Sequence, residues 1–420
     1  MTSREKLNAA LNHEGASKLA FDLGATKATG ISASKLYRLR KLFGRDEPVK
    51  VYDTFQMLGL IDEQDAEMFG IDVMGVWNNY TCFGYRNNNW KPWKIPVDGT
   101  PALIGSESSL TYSTDGGIYM HPKGDINAAP SGYMPVGGLY FDFVVRQGEY
   151  DEDNMDAIKD WQEQLDFMRM TDETIEHIAE HVNHLYNNTD KGIVVNAECC
   201  SIGSHTMVFG PCAKATPGIR DYSEFLMAHH LYPEYLHECF AAWTNVAIDN
   251  LKKLYGVAGN KPQAVFISST DFGTQNGLLL SPQIFRDFYV PHFKKVNGWI
   301  HQNTKWKTLY HCCGSIFDII EDFIECGADC LNPIQISASN MEPKKIKEKA
   351  EGRLVVWGGC VDCQTTISFG SLADVEKELR SGIELFGKNG GLICSIIHNI
   401  QSDVPDENII RIFDVLKEYR

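Results

Sequence analysis

Eight short apolar runs punctuate the chain, at Lys18–Gly24, Ile71–Val76, Ile193–Cys199, Ala264–Thr270, Trp306–Cys312, Ala328–Pro333, Leu354–Gly359 and Gly391–Ile396. Each is continuously apolar rather than alternating, as in parallel strands covered on both faces. Longer stretches of helical period separate them. Ser315–Glu325 repeats its apolar residues at i, i+3 and i+4 and stops at Cys326-Gly327; Leu372–Phe386 does the same and stops at Gly387; Glu407–Tyr419 closes the chain. Strands alternating with helices predict an α/β fold, a (β/α)8 TIM barrel running over residues 1–420 as one domain. An open doubly wound sheet is the rival architecture, but no Gly-rich dinucleotide turn follows any of the runs. One stretch breaks the rhythm. Residues 77–150 are rich in Gly, Asn, Pro and aromatics, and predict a β-rich insertion after the second strand. Such an insertion is either a cap above the strand C-termini or a surface excursion.

Composition narrows the class. With 39 basic and 55 acidic side chains among 420 residues, the net charge is −16. That balance argues against nucleic acid as a partner, since nucleic acid selects a basic face. No run of about 18 apolar residues occurs, so no membrane span is expected. The start, Met1 to Lys6, leads into an amphipathic stretch and not a secretory signal, so a cytoplasmic location is expected. Twelve cysteines in such a chain read as metal binding or redox chemistry rather than disulfides, and seven of them fall between 312 and 394.

The sharpest constellation is His311-Cys312-Cys313-Gly314, at the end of a predicted strand. The C-terminal ends of barrel strands face the active site. Residues two apart on an extended chain point the same way, so His311 and Cys313 can reach one point. An imidazole and a thiolate suit zinc. Cys394, in the last predicted strand, would complete a three-ligand site with an open fourth position. Cys360 is the rival third ligand, and Cys360-x-x-Cys363 alone reads as half a structural site or a redox pair. Glu198 ends a strand expected to be buried, where a carboxylate suits a general base, a further metal ligand or a partner for His311. Asp271 either orients substrate or caps a helix, and Asp22 has the same two readings. His398 and Gln401 lie in the loop after the last strand, in reach of a ligand. His205, His229, His230 and Cys239 read as structure or surface.

The order of motifs in the C-terminal half resembles the uroporphyrinogen decarboxylase-like superfamily. The residues that carry the likeness are Ser269 to Gln275 with Ser281-Pro282, His311 to Ser315, Asp329 to Gln335, Trp357-Gly358-Gly359 through Gln364, and His398 to Gln401 with Pro405 and Glu407 to Ile409. Arg4–Asp22 and Tyr52–Val73 also look like the family's opening. The resemblance implies a (β/α)8 barrel and two chemistries. One is a metal-free tetrapyrrole decarboxylase. The other is a zinc methyltransferase that exchanges methyl groups between a small molecule and a corrinoid (cobalamin) carried by a partner protein. In the zinc branch a His-x-Cys pair and a distant cysteine hold the metal, which here implies His311, Cys313 and Cys394, with Cys360 left open. Gln335 then joins Asp22, His398 and Gln401 as expected substrate contacts, and Glu198 and Asp271 are the expected catalytic carboxylates.

A tetrapyrrole with eight carboxylates wants convergent arginines, and the region where the decarboxylase carries them reads Asp22-Leu23-Gly24-Ala25-Thr26-Lys27. The expectation is therefore a zinc-dependent methyltransferase acting on a small methylated compound, such as a methoxylated aromatic, or on a thiol. Two thiolates on zinc would favour thiol activation, and the aromatic-rich insertion would favour a methoxylated aromatic. A decarboxylase and a non-catalytic barrel with structural zinc are the alternatives. A homodimer is compatible with the sequence.

Overall fold

The computed structural model describes residues 1–15 and 18–420. Eight strands, numbered β1 to β8 in chain order, form the barrel: Ala20–Phe21, Val73–Val76, Gly192–Asn196, Ala264–Ser268, Lys307–His311, Cys330–Asn332, Val355–Trp357 and Leu392–Cys394. Seven lie inside one of the eight apolar runs, and β3 begins one residue before its run, at Gly192. They pair in parallel in the order β1-β8-β7-β6-β5-β4-β3-β2, with His311 opposite Asn332 and Ala20 opposite Ile393.

The seam between β1 and β2 is closed by one residue. Asp72 donates its N–H to the Phe21 carbonyl at 2.8 Å, and its Oδ2 accepts from the Phe21 N–H at 3.0 Å. The sheet is thus nearly a closed barrel, with helices around it.

Side-chain parity sorts the strands into two cores. Ala20, Val73, Val194, Ala264, Phe266, Leu309, Cys330, Val355, Trp357 and Ile393 fill the interior. Leu7, Ala10 and Leu11 of the N-terminal helix Ser3–Leu11 join them and plug one end. The alternate residues, among them Phe21, Val195, Val265, Tyr310, Leu331 and Cys394, pack outward against the helices. Runs buried on both faces read as continuously apolar for this reason.

The helical readings hold with shifted ends. Leu372–Gly387 and Asp406–Leu416 are α-helices, whereas the Ser315 stretch begins as a 3-10 turn and is α-helical only over Ile320–Glu325. The segment after β2 forms β structure in two sheets. Leu110–Tyr112, Ile118–Met120, Gly132–Met134 and Asp142–Phe143 make an antiparallel meander. Lys91–Lys94 and Pro101–Ile104 instead join Val49–Asp53 and Leu58–Gly59, strands that precede β2. The insertion is therefore tied into the connection between β1 and β2, and does not stand on the second strand alone. Among the described residues no helix is long and apolar enough to cross a membrane.

Candidate metal centre

β5 delivers His311 as its last inward residue, 5% exposed, and Cys313 follows just beyond the strand. Cys313 Sγ lies 3.2 Å from His311 Nε2. The third member is His398, in the loop after β8. Donor atoms of His311, Cys313 and His398 all lie within 4.8 Å of one another, close enough to hold one metal ion.

The surroundings fix each donor. Asn332, opposite His311 on β6, donates its amide N–H to the Trp357 carbonyl at 2.8 Å, so its Oδ1 is the acceptor facing His311. His311 Nδ1 donates to that oxygen at 2.7 Å, which leaves the Nε2 lone pair pointing at Cys313. A ring held by its far nitrogen in this tautomer is the arrangement of metal-ligating histidines. Asp271, beyond β4, accepts from the Cys313 backbone N–H at 2.6 Å and stands 3.6 Å from His311 Nε2. The His398 loop is clamped by its neighbour. Asn399 Oδ1 accepts from the Gly30 N–H at 2.6 Å, and its amide donates to the Lys27 carbonyl and to Gln56 Oε1, both at 2.8 Å.

Burial keeps His398 and Cys313 neutral. It pushes His398 down to about 4, with the nearby His311 adding to the effect. It holds the Cys313 thiol well above its usual range, helped by the charge of Asp271. A divalent cation would reverse the second shift, since it favours the thiolate, and would find the His398 imidazole already unprotonated. The donor set fits a borderline metal such as zinc.

Two cavities meet over this floor, and a third adjoins the first of them. One of about 440 Å³ is lined by His311, His398, Asp271, Ser269, His205, Lys27, Phe55, Asp142, Phe143 and Phe209. A second of about 640 Å³ reaches Cys313 and His398 from the other side, past Gln335, Cys363, Gln401 and Tyr140. A third of about 420 Å³ shares Lys27 and Thr206 with the first. Phe55 and Phe143 stack at 4.0 Å over the mouth.

Several expected site residues stand elsewhere. Cys394 follows Ile393, whose side chain enters the barrel, so Cys394 faces outward into the layer under the helices. There it meets Cys360; that thiol contact and burial push Cys394 well above the usual thiol range. Among the described residues neither cysteine joins the donor group of His311 and Cys313, whose third member is His398. Asp22 is fully buried and lines none of these three cavities. Its oxygens accept from Trp357 Nε1 at 2.7 Å and the Ala25 N–H at 2.9 Å, and burial raises it to about 6. It braces β1 against β7. Glu198 is ion-paired with Lys27 and lines the third cavity, away from His311. Gln335 lines the second cavity but is already engaged: its Oε1 accepts from the Gly314 N–H at 2.8 Å and its amide donates to Gln275. Gln401 lines that cavity too. His205, read from the sequence as structure or surface, lines the first cavity and stacks on Tyr222 at 4.2 Å. Its position on the short helix His205–Phe209, beyond β3, was the available signal.

The uroporphyrinogen decarboxylase (URO-D) family model matches residues 152–419, well over half the sequence. The chain belongs to the URO-D family. Among solved structures it is similar to a methyltransferase from Methanosarcina mazei, at 16% identity and a TM-score of 0.56, over 100% of this chain and 99% of that one. Likeness at that identity bears on the fold, and it agrees with the barrel. No curated protein matches the sequence.

Proposed function

We propose that this URO-D family member is a zinc-dependent methyltransferase that removes methyl groups from a small methoxylated compound in concert with a corrinoid protein. The observation that carries the reading is the convergence of His311, Cys313 and His398 within 4.8 Å at the mouth of the barrel. Zinc bound there would act as a Lewis acid toward a methoxyl oxygen. Two neutral imidazoles and one thiolate carry a single negative charge where two thiolates would carry two. That donor set moves the preference from thiol activation toward demethylation of an ether. The similar Methanosarcina mazei structure, a methyltransferase, supports the same class of reaction.

The chain's own residues supply orientation and exclusion. Asn332 holds His311 in the ligating tautomer, and Asp271 fixes the backbone of Cys313. With three donors in the cluster and a cavity on either side, room remains for a substrate atom, which a closed four-ligand structural site lacks. Phe55, Phe143 and Phe209 provide an apolar wall suited to an aromatic ring.

The decarboxylase reading meets a charge problem. Among the described residues Lys27 is the one Lys or Arg lining the two cavities that reach the three donors, and it is already paired with Glu198. A polycarboxylate has no convergent cations to meet.

The test combines the purified protein, a Co(I) corrinoid protein and a panel of methoxylated aromatics. The expected result is about one zinc per chain and loss of the Co(I) absorbance, abolished by chelation and restored by zinc. Undiminished turnover in the chelator-stripped protein, or metal-free decarboxylation of a porphyrinogen, would overturn the assignment.

A further inference from the structure

Imidazoles also gather on the outer surface of the barrel, along the helix Asp172–Asn188. That helix buries Ile175, Ile178, Val182 and Leu185. Beside the buried stripe run Glu173, His177, Glu180, His181 and His184, spaced three and four residues apart, so that their side chains neighbour one another along one flank. None of them lines the three cavities described above.

The pair at the centre of the stripe has the chemistry of a metal chelate. The run His177-Ile178-Ala179-Glu180-His181 has the H-x-x-E-H spacing by which one helix presents two imidazoles to a single zinc ion. The two rings lie 4.3 Å apart between centroids and meet edge to face at 82°. His181 is exposed and His177 half-buried, so the outer ring is free to swing a nitrogen onto an ion shared with the inner one. Their neighbours on the stripe are already engaged: His184 Nε2 meets Glu63 at 2.7 Å, and Glu173 accepts from Arg86 at 2.7 Å. Among the described residues no side chain is hydrogen-bonded to the ring of His177 or of His181.

Electrostatics favour a cation here. Partial burial lowers both rings from the ordinary histidine range, and each lowers the His177 proton affinity further through the pair. Both are thus neutral at neutral pH, the form that ligates. The Glu180 carboxylate acts on both rings and draws positive charge toward them. Two nitrogen donors select a first-row transition metal over magnesium or calcium, which take oxygen.

We infer that His177 and His181 form a surface binding site for a divalent first-row transition-metal ion, with Glu180 beside them and water completing the coordination. With two donors instead of three, the site fills with added metal and empties on desalting, so it adds nothing to the zinc that the purified protein retains.

The site is independent of any metal at His311, and its test uses binding alone. Ni²⁺, Cu²⁺ and, as a control, Mg²⁺ are titrated calorimetrically into the desalted, tag-free protein at neutral pH. Ni²⁺ and Cu²⁺ bind, Cu²⁺ the more tightly, and Mg²⁺ does not. His177→Asn and His181→Asn each abolish this binding and keep the wild-type circular dichroism, whereas His398→Ala, at the barrel mouth, retains the binding. The electron paramagnetic resonance of bound Cu²⁺ shows splitting from two nitrogens, lost in either Asn variant. Absence of Ni²⁺ and Cu²⁺ binding overturns the inference. So does binding unaltered by His181→Asn, an exposed substitution that the fold tolerates, or binding lost in His398→Ala, which would place the ion at the barrel mouth.

Discussion

His398 and Cys394 are four residues apart on the same strand-and-loop segment, and they make opposite predictions. His398→Ala removes one of the three converging donors and is expected to reduce zinc from about one per chain to a trace. Cys394→Ala alters the outward layer and leaves the zinc content unchanged, at a stability cost of about 1 kcal/mol for a small buried group. Elemental analysis of the two purified variants decides the matter, and the opposite pattern would restore Cys394 as the ligand. Asn332→Ala tests the tautomer: losing the group that orients a ligating histidine should weaken zinc affinity about 10–100-fold, read by competition with a chromophoric chelator. His311 and Cys313 could be paired from sequence because two-residue spacing at a strand end fixes their direction. The same parity rule, applied to β8, turns Cys394 away once Ile393 is known to face the interior. His398 was visible as a loop residue, but its approach to His311 depends on the Asn399 clamp onto Gly30 and Lys27, which join positions some 370 residues apart. Asp22 illustrates the converse. A carboxylate at a strand end reads as functional, yet its partner Trp357 lies 335 residues further along the chain and makes it a brace.

Among elements, the strands were legible and their closure was not. Eight apolar runs mark β1 to β8 because both faces of each strand are buried. The join of β1 to β2 rests on Asp72, a polar residue preceding a strand and without any pattern to flag it. It is 3% exposed and serves four partners: Ser3 Oγ at 2.7 Å, Lys6 Nζ at 2.9 Å, the Phe21 backbone, and the Gly192 N–H, which donates to its carbonyl at 2.8 Å. Asp72→Ala leaves the buried Lys6 ammonium unpaired and opens the seam. A loss of about 3–5 kcal/mol is expected, measured by urea unfolding at neutral pH. A loss below about 1 kcal/mol would mean that packing of the N-terminal helix closes the barrel unaided. The strand Val49–Asp53 escaped the sequence reading for a related reason: it is too short and too mixed in character to stand out, and it is specified by its pairing with Pro101–Ile104.

At the scale of the whole molecule the chain divides its labour. His311, Cys313, His398, Asp271 and Asn332 all fall inside residues 152–419, the part matched by the family model. The residues roofing the site come from before that boundary: Phe55 from the β1–β2 connection, and Asp142 and Phe143 from the last strand of the meander. Phe143 stacks on Phe55 and meets Phe83 and Phe209 at 6.1 and 5.9 Å, so one side chain ties the meander to the barrel mouth. If the insertion is a cap, its removal should affect the substrate and spare the metal. Phe143→Ala is expected to retain about one zinc per chain and most of its stability, since the ring is only half-buried. It should lower kcat/KM for demethylation about tenfold by letting the substrate shift and water enter. Unchanged kinetics would make the insertion a surface excursion, and parallel loss of zinc would make it part of the metal centre. Retained zinc with weakened turnover would assign metal chemistry to the family-matched barrel and substrate fit to the insertion.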